Sequence, residues 1–274
     1  MLESYGGFAP ARSAWAGALK LQVRVLTALV RRETRAHFGE SRLGYLWAIL
    51  EPAGHLLVLT LFFTYIWRRQ VPIGRSMMLF FMTGLVPYFL YAKQAFYITG
   101  AIASNKALLN LPPVKPFDVI ASRAILETAT ELFVGFLLFA GMVVAGIQQA
   151  IPTNPLDLTA AIAVAATLGF GIGMINAVIQ LYLPSWTILF TLFTGPLYLV
   201  SGVFFIAEQV PRPMRDYLLY NPLYHMIAWF RGAFYPEYST VYLDRSYVLC
   251  WSVSALLLGF GLVRVKRRKI LEPT

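Results

Sequence analysis

Residues 158–207, LTAAIAVAATLGFGIGMINAVIQLYLPSWTILFTLFTGPLYLVSGVFFIA, form an apolar segment in which fifty consecutive positions carry no Asp, Glu, Lys, Arg or His. A membrane-spanning helix needs about 20 apolar residues, so this segment is long enough to cross a bilayer twice. The sequence Leu183-Pro184-Ser185-Trp186 lies at its centre and is the one plausible turn. The segment therefore predicts a tight transmembrane helical hairpin.

The whole chain has the composition of an integral membrane protein. Hydrophobic residues make up 58% of the 274 residues and charged residues 13%, whereas soluble domains contain about 25% charged residues. Because little chain is left for a soluble domain, residues 1–274 are expected to form a single all-α integral membrane domain. Six transmembrane helices are predicted, at about residues 47–67, 77–98, 117–147, 158–182, 186–206 and 246–263.

The distribution of Lys and Arg predicts which side of the membrane the termini occupy. Six spans place both termini on the same side of the membrane. The segments on that side carry fifteen Lys and Arg residues, and the loops on the opposite side carry seven. Because positively charged loops are retained in the cytoplasm, we expect cytoplasmic termini and a multi-pass protein of the cell membrane. The N-terminus lacks the pattern of a signal peptide. Arg68, Arg69 and Arg75, in the first outer loop, go against the charge rule.

Residues 15–38 precede the first span and predict a basic amphipathic helix in the membrane interface. An apolar stripe at helical spacing contains Leu19, Val23, Leu26 and Val30. The neighbouring stripe contains Lys20, Arg24, Thr27, Arg31 and Arg35. Membrane anchoring explains this pattern, and docking of a soluble partner is the alternative.

Residues 210–238 are apolar and aromatic, but prolines interrupt them so often that neither half can span a membrane. Asn221 followed by Pro222 is a strong signal for the start of a helix. We therefore predict two short helices, at about 213–220 and 222–234, that form a re-entrant pair. Broken helices at membrane depth are tolerated only when they pack in protein or line a cavity. The pair is a candidate gate, with an interfacial aromatic belt as the alternative.

Ionisable residues inside the predicted spans are costly and therefore informative. Arg123, Glu127 and Glu131 recur four residues apart on one face of the third span, and Lys93 lies at comparable depth in the second. We expect Lys93 to pair with Glu127 or Glu131, either as a structural ion pair or as the polar lining of a path for a hydrophilic passenger. In the first span, Glu51 and His55 are also four residues apart and are expected to satisfy each other.

Several classes of function are disfavoured by what the sequence lacks. It has no G-x-x-x-x-G-K-[ST] loop for ATP, and its three His and one Cys do not suggest a metal site. Gly169, Gly171 and Gly173 lie inside an apolar span, where small residues permit close helix packing. We therefore expect no catalytic site, metal or cofactor in this chain and no nucleic-acid partner.

Residues 31–52, RRETRAHFGESRLGYLWAILEP, resemble the beginning of the first span in ABC-2 type exporter permeases. They combine a basic amphipathic helix with the pattern S-x-L-G-x-x-W-x-x-x-x-P. Further segments are similar to the permease subunit of capsular polysaccharide exporters: LEPAGH at 50–55, SNKALLN at 104–110, VKPFD at 114–118, AILE at 124–127, and NPLYH at 221–225 with Arg231.

This resemblance implies a homodimeric permease paired with two copies of a separate cytoplasmic ABC ATPase, which binds ATP and Mg. The substrate is expected to be a lipid-linked acidic capsular polysaccharide that crosses the inner membrane of a Gram-negative cell, with periplasmic and outer-membrane export proteins as further partners. Residues 100–114 correspond to the loop that fits into the ATPase, and residues 210–238 to gate helices near the exit. Permeases for O-antigen or teichoic acid, and a membrane glycosyl- or acyltransferase, are the alternatives.

Three groups of site residues follow from these expectations. The substrate pathway is expected to include Lys93, Tyr88, Tyr91, Glu127, Glu131, Tyr198 and Tyr224, because aromatic faces stack on sugar rings and Lys93 attracts an anionic polymer. An electropositive exit or gate is expected at Arg68, Arg69, Arg75, Arg212, Arg215, Asn221, Trp229 and Arg231. Coupling to the ATPase is expected at Arg31, Arg35, Asn105, Lys106 and Leu108.

Overall fold

A computed structural model describes residues 11–39, 42–110 and 112–272. Glu40 and Ser41, in the motif of the first span, and Leu111, in the predicted coupling loop, lie outside the described residues. The longer helices of the described part are α1 (Ala11–Phe38), α2 (Arg42–Leu61), α3 (Met77–Thr99), α6 (Pro116–Val144), α7 (Pro155–Gln180), α8 (Trp186–Leu199) and α11 (Arg245–Val265). The shorter helices are α4 (Ala101–Ser104), α5 (Lys106–Leu109), α9 (Arg212–Leu218), α10 (Pro222–Gly232) and α12 (Arg267–Leu271).

Four helical segments of the described chain are long and apolar enough to cross a membrane: Leu46–Ile66, Pro116–Val144, Pro155–Gln180 and Arg245–Val265. The first continues α2 through one π-helical turn, Phe62–Ile66. Helix α3 is also long, with 23 residues, but carries Lys93 and Gln94. The all-α membrane architecture is confirmed, and the number of six crossings stays a prediction.

The predicted span at 186–206 is wrong in its extent. Helix α8 has 14 residues, which at 1.5 Å per residue covers about 21 Å, less than the roughly 30 Å of a bilayer core. Residues 200–206 form turns and irregular chain instead. Gly202 has a φ of 88°, and a Cβ atom there would lie 2.9 Å from the Tyr224 ring. Apolar composition alone did not distinguish this packed, non-helical connection from helix.

Helix α3 lies at the centre of the bundle, against α2, α6, α7 and α10. The glycines of α7 allow this packing. A Cβ atom at Gly169 would lie 2.7 Å from the Tyr91 carbonyl oxygen of α3, and one at Gly171 would lie 2.6 Å from the backbone of Ala255 on α11. The prediction that these glycines serve helix packing is confirmed.

Helix α1 packs along the first half of α6. Leu29 is buried in this contact, and Gln22 donates a hydrogen bond to Asp118. Of the predicted apolar stripe, Leu19 and Val23 are exposed, as a helix in the membrane interface requires. The face of α1 that packs on α6 differs from that stripe and was not predicted.

Two ends of the bundle can be distinguished. The end that we call the α1 end contains α1, the connection from α3 to α6, the α7–α8 turn and α12, where Lys266 lies 5.5 Å from the Tyr182 ring. The end that we call the α10 end contains the loops after α2 and α6 together with α9 and α10. Arg75 N, for example, donates to Gln149 Oε1 at 3.2 Å.

Helices α9 and α10 confirm the two short helices predicted in residues 210–238, each within two residues of its expected end. Asn221 caps α10 by accepting a hydrogen bond from Leu223 N at 3.0 Å. Residues 223–231 are all buried, because α10 packs against α3, α7 and α11. The proline-broken segment is therefore packed in protein, which is one of the two conditions under which such a segment is tolerated at membrane depth.

Candidate functional site

A cleft of ≈ 630 Å³ opens at the α1 end between α1, α2, α3 and α6. We call it the charged cleft, because its lining includes six acidic or basic side chains: His37, Glu51, Lys93, Arg123, Glu127 and Glu131. Helix α6 supplies half of them from three successive turns of one face. Charged groups are costly between membrane helices unless they are paired, so their partners define the site.

Each charged residue of the α6 face lies beside an acidic or basic side chain of another helix. Arg123 Nη2 lies 2.6 Å from Glu33 Oε2 of α1, and Glu127 Oε1 lies 3.5 Å from His37 Nδ1, also of α1. Glu131 Oε1 lies 2.8 Å from Lys93 Nζ of α3. The predicted pairing of Lys93 is therefore observed with Glu131.

Lys93 has a second carboxylate neighbour, Glu51 of α2, at 3.5 Å. The prediction that Glu51 and His55 satisfy each other is wrong, because both side chains find partners on other helices. His55 Nε2 lies 2.7 Å from the Tyr198 hydroxyl of α8.

Among the residues that the structure describes, the charged cleft presents no free cation. Its cations Lys93 and Arg123 face four carboxylates when Glu33, the partner of Arg123, is included with Glu51, Glu127 and Glu131. Burial, followed by the charge of Arg123, lowers the pKa of His37 below its ordinary value of 6.5. In this conformation Lys93 is paired with Glu131 and lies near Glu51, and its attraction of an anionic polymer stays a prediction.

Three of the predicted pathway tyrosines form an aromatic cluster that joins α3 to α8. Tyr88 and Tyr91 are buried, and the Tyr88 hydroxyl donates to the Thr194 carbonyl at 3.1 Å. The Tyr198 ring lies 4.8 Å from that of Tyr88. Tyr224 of α10 is buried elsewhere, against the 200–206 connection. In this structure these rings pack against protein.

The connection from α3 to α6, predicted as a coupling loop at residues 100–114, contains α4 and α5. Asn105, between these helices, is 1% exposed and donates to Glu33 Oε1 at 2.8 Å. Lys106 and Leu108 are half-buried, whereas Ala103 and Ala107 are exposed. Asn105 therefore points into the protein, and the small side chains of Ala103 and Ala107 form the exposed surface of this connection.

Of the other predicted coupling residues, Arg31 and Arg35 are exposed on α1. Sequence reasoning missed Glu33, the one acidic residue between Trp15 and Phe38. That isolation within a basic helix was the signal that could have identified it.

The exit arginines lie at the α10 end. Arg69 donates to the Phe204 carbonyl at 2.9 Å and to Gln209 Oε1 at 2.8 Å. With Asn221 it lines a second cleft of ≈ 540 Å³. The remaining residues are less constrained: Arg68, Arg75 and Arg212 are exposed, and the Arg215 guanidinium lies 4.6 Å from the Tyr242 ring.

Two residues predicted at the exit lie in the interior instead. Arg231 is 0% exposed and donates to the carbonyls of Gly202 at 2.9 Å and Phe205 at 3.3 Å. Trp229 is buried, and its Nε1 donates to Asp157 Oδ1 at 3.1 Å. Both residues hold elements together and do not line an exit surface in this conformation.

The fold and these contacts define a polytopic membrane protein, and the ionisable groups of its described part join helices without forming a recognisable catalytic constellation. Among the described residues, no group of His, Cys, Asp and Glu is placed to hold a metal ion. Residues 24–235 match the family described as ABC-2 type transporter, and the chain belongs to this family.

Relatives with similar sequences are named for the transport of polysialic acid or for the export of capsule polysaccharide. The chain is 36% identical over 252 residues to the polysialic acid transport protein KpsM of Escherichia coli. The aligned region covers 92% of this chain and 97% of the relative. The chain is 25% identical over 256 residues to the capsule polysaccharide export inner-membrane protein CtrC of Neisseria meningitidis, covering 93% and 96%. The corresponding protein BexB of Haemophilus influenzae is 25% identical over 250 residues, covering 90% and 92%.

Proposed function

We propose that this protein is the permease subunit of an ATP-driven exporter that moves lipid-linked acidic capsular polysaccharide across the inner membrane. The observation that carries the proposal is the similarity to the polysialic acid transport protein, which extends over 92% of the chain and so includes every element of the charged cleft. Polysialic acid is an acidic sugar polymer, and such a polymer needs a protein path because its charges are costly in a bilayer.

A separate ABC ATPase supplies the energy in this proposal. Its docking surface is the α1 end, where Ala103 and Ala107 of the coupling loop and Arg31 and Arg35 of α1 are exposed. ATP and Mg bind to that partner. The excess of Lys and Arg at this end supports its assignment, with both termini, to the cytoplasmic side.

In this proposal, two copies of the chain form the polysaccharide path, and one ATPase binds to the α1 end of each copy. Supporting this arrangement, α2 and α8 expose large apolar side chains, including Leu57, Val58, Leu192 and Phe193. Closure of the ATPases pushes the coupling loops, tilts the helices of the charged cleft and opens a channel between the protomers. Lys93 then exchanges Glu131 for acidic groups of the polymer.

The exposed arginines of the α10 end make the exit electropositive, which explains why they depart from the charge rule. Periplasmic and outer-membrane export proteins receive the polymer on this side. Helices α9 and α10 act as the gate, and Arg69 lines the second cleft beside α9.

Export of O-antigen is the second candidate. It is favoured by a 34% identity to the O-antigen export system permease protein RfbA of Myxococcus xanthus, but that similarity covers 85 residues and 31% of the chain. The capsule relatives match three times as much of the chain, so capsule export is preferred.

Deletion of the gene, followed by fractionation of acidic glycan into surface and intracellular pools, tests the proposal. We expect capsular polymer to accumulate inside the cell and to leave the surface, with O-antigen unchanged, and a plasmid copy to reverse the effect. Loss of O-antigen with a normal capsule would instead favour the second candidate. No change in either polymer would reject both.

A further inference from the structure

Glu33 has an environment that is unusual for an acidic residue of a basic interfacial helix. Its side chain is 2% exposed, while its neighbours Arg31 and Arg35 are exposed. Burying a carboxylate is costly unless it is paired and hydrogen-bonded. The partners of Glu33 therefore indicate what this position does.

The two carboxylate oxygens of Glu33 bind two different elements. Oε1 accepts a hydrogen bond from Asn105 Nδ2 at 2.8 Å, in the turn between α4 and α5. Oε2 lies 2.6 Å from Arg123 Nη2 of α6. Arg32, next to Glu33, donates to Asn105 Oδ1 and so holds the other side of the same amide. One residue of α1 thus bridges the coupling loop and α6.

The contacts continue from this bridge through the charged cleft. Arg123 is followed two turns later on α6 by Glu131, which binds Lys93 of α3 at 2.8 Å. Lys93 lies 3.5 Å from Glu51 of α2. A displacement of the coupling loop can therefore reach α6 through Glu33 and Arg123. From α6 it can reach α3 and α2 through Glu131, Lys93 and Glu51.

We infer that Glu33 is a positioning residue for coupled export, which makes the coupling loop, α1 and α6 move together when the ATPase closes. This inference rests on the proposed function. Charge-assisted contacts of a buried carboxylate are stronger and more directional than the apolar contacts around them. Without the Glu33 bridge, closure of the ATPase moves the coupling loop, but this movement is not transmitted to α6.

The test uses the full-length protein with its ATPase in lipid nanodiscs, and the same variants in the deletion strain. Glu33→Gln keeps an acceptor for Asn105 but removes the charge that pairs with Arg123. We expect normal assembly and ATP hydrolysis within about twofold of wild type, but a fall of at least about tenfold in surface polymer, which is within the usual size of a coupling effect. A split between hydrolysis and export distinguishes positioning from a loss of folding.

Two further variants make the test specific. Glu33→Arg combined with Arg123→Glu re-forms the pair with reversed charges, and the Asn105 amide can turn its oxygen toward the new guanidinium to accept a hydrogen bond. We expect this double variant to restore most of the surface polymer. Glu272→Gln changes a carboxylate that is 56% exposed at the same end, and we expect export to be unchanged.

Wild-type export by Glu33→Gln, or no recovery in the charge-reversed pair, would overturn the inference. If the Glu33→Gln variant does not accumulate in cells, the charge-reversed double variant tests the inference by itself. A complex of this variant that assembles and exports polymer supports the Glu33 bridge, and any other result rejects it. Failure of the proposed function is seen separately, because deletion of the gene would then leave the surface polymer intact.

Discussion

At the scale of single residues, Arg231 is a buried arginine that donates mainly to backbone carbonyls, and also to the Thr83 hydroxyl. Its guanidinium lies 4.2 Å from the Phe80 ring and donates to carbonyls of the connection after α8. Gly84 of α3 leaves space for it, since a Cβ atom there would lie 2.9 Å from Arg231 Nη2. Backbone groups outside a helix need such donors when water is absent. Arg231 therefore explains how residues 200–206 can leave the helical conformation.

We predict that Arg231→Ala lowers the free energy of unfolding by about 3 kcal/mol or more, because each buried carbonyl left without a donor costs about 1–3 kcal/mol. Arg231→Lys is expected to recover part of this loss. Unfolding of the detergent-purified protein measures both. Arg212→Ala, at an exposed position, is the control and should change stability by less than about 0.5 kcal/mol. Equal stabilities of all three variants would refute the structural role of Arg231.

The ion pair of Lys93 and Glu131 provides a second test at this scale. Lys93→Glu places a third carboxylate beside Glu131 and Glu51, and we expect a loss of stability of about 3–5 kcal/mol, as when one partner of a buried pair is removed. Adding Glu131→Lys restores both the pair and the cation of the cleft. The double variant should therefore regain stability and export in the same unfolding and surface-polymer assays. A double variant no better than Lys93→Glu would contradict the pairing.

At the scale of elements, the coupling loop presents a surface that its sequence did not suggest. The motif 104–110 resembles a coupling element, yet Asn105 points inward while Ala107 is exposed. The reason is tertiary: α1 docks on α6 and brings Glu33 to Asn105. Contacts of this kind depend on how two distant helices meet, which neither spacing nor composition encodes.

We expect Ala107→Asp to weaken co-purification of the ATPase by at least about tenfold, which corresponds to 1.4 kcal/mol of binding free energy, because an unpaired carboxylate would be buried in the interface. Binding of the separately purified ATPase to the variant measures this effect. Ala145→Asp is the matched control, since Ala145 is exposed beyond the other end of α6. Full binding by Ala107→Asp would place the ATPase elsewhere.

At the scale of the whole molecule, the sequence was most informative where apolar runs are long and uninterrupted. The spans predicted at about 117–147, 158–182 and 246–263 match α6, α7 and α11 to within about three residues at each end. The span at 186–206 was predicted too long, because residues 200–206 are as apolar as a helix but are held by Arg231 in another conformation.

The charged cleft could also be predicted in part. Regular spacing on one helix placed Arg123, Glu127 and Glu131 on one face, and depth suggested a pair with Lys93. The partners that α1 contributes, Glu33 and His37, could not be predicted, since they depend on the docking of an interfacial helix.

Transport by the purified complex is the measurement that tests the central proposal most directly. The permease and its ATPase would be reconstituted into liposomes with the ATPase outside, and labelled lipid-linked acidic polysaccharide would be supplied in the outer leaflet. We predict that the polymer becomes protected from an external glycosidase when ATP and Mg are present, and stays accessible with a non-hydrolysable ATP analogue. Equal protection with ATP and with the analogue would contradict an ATP-driven polysaccharide permease.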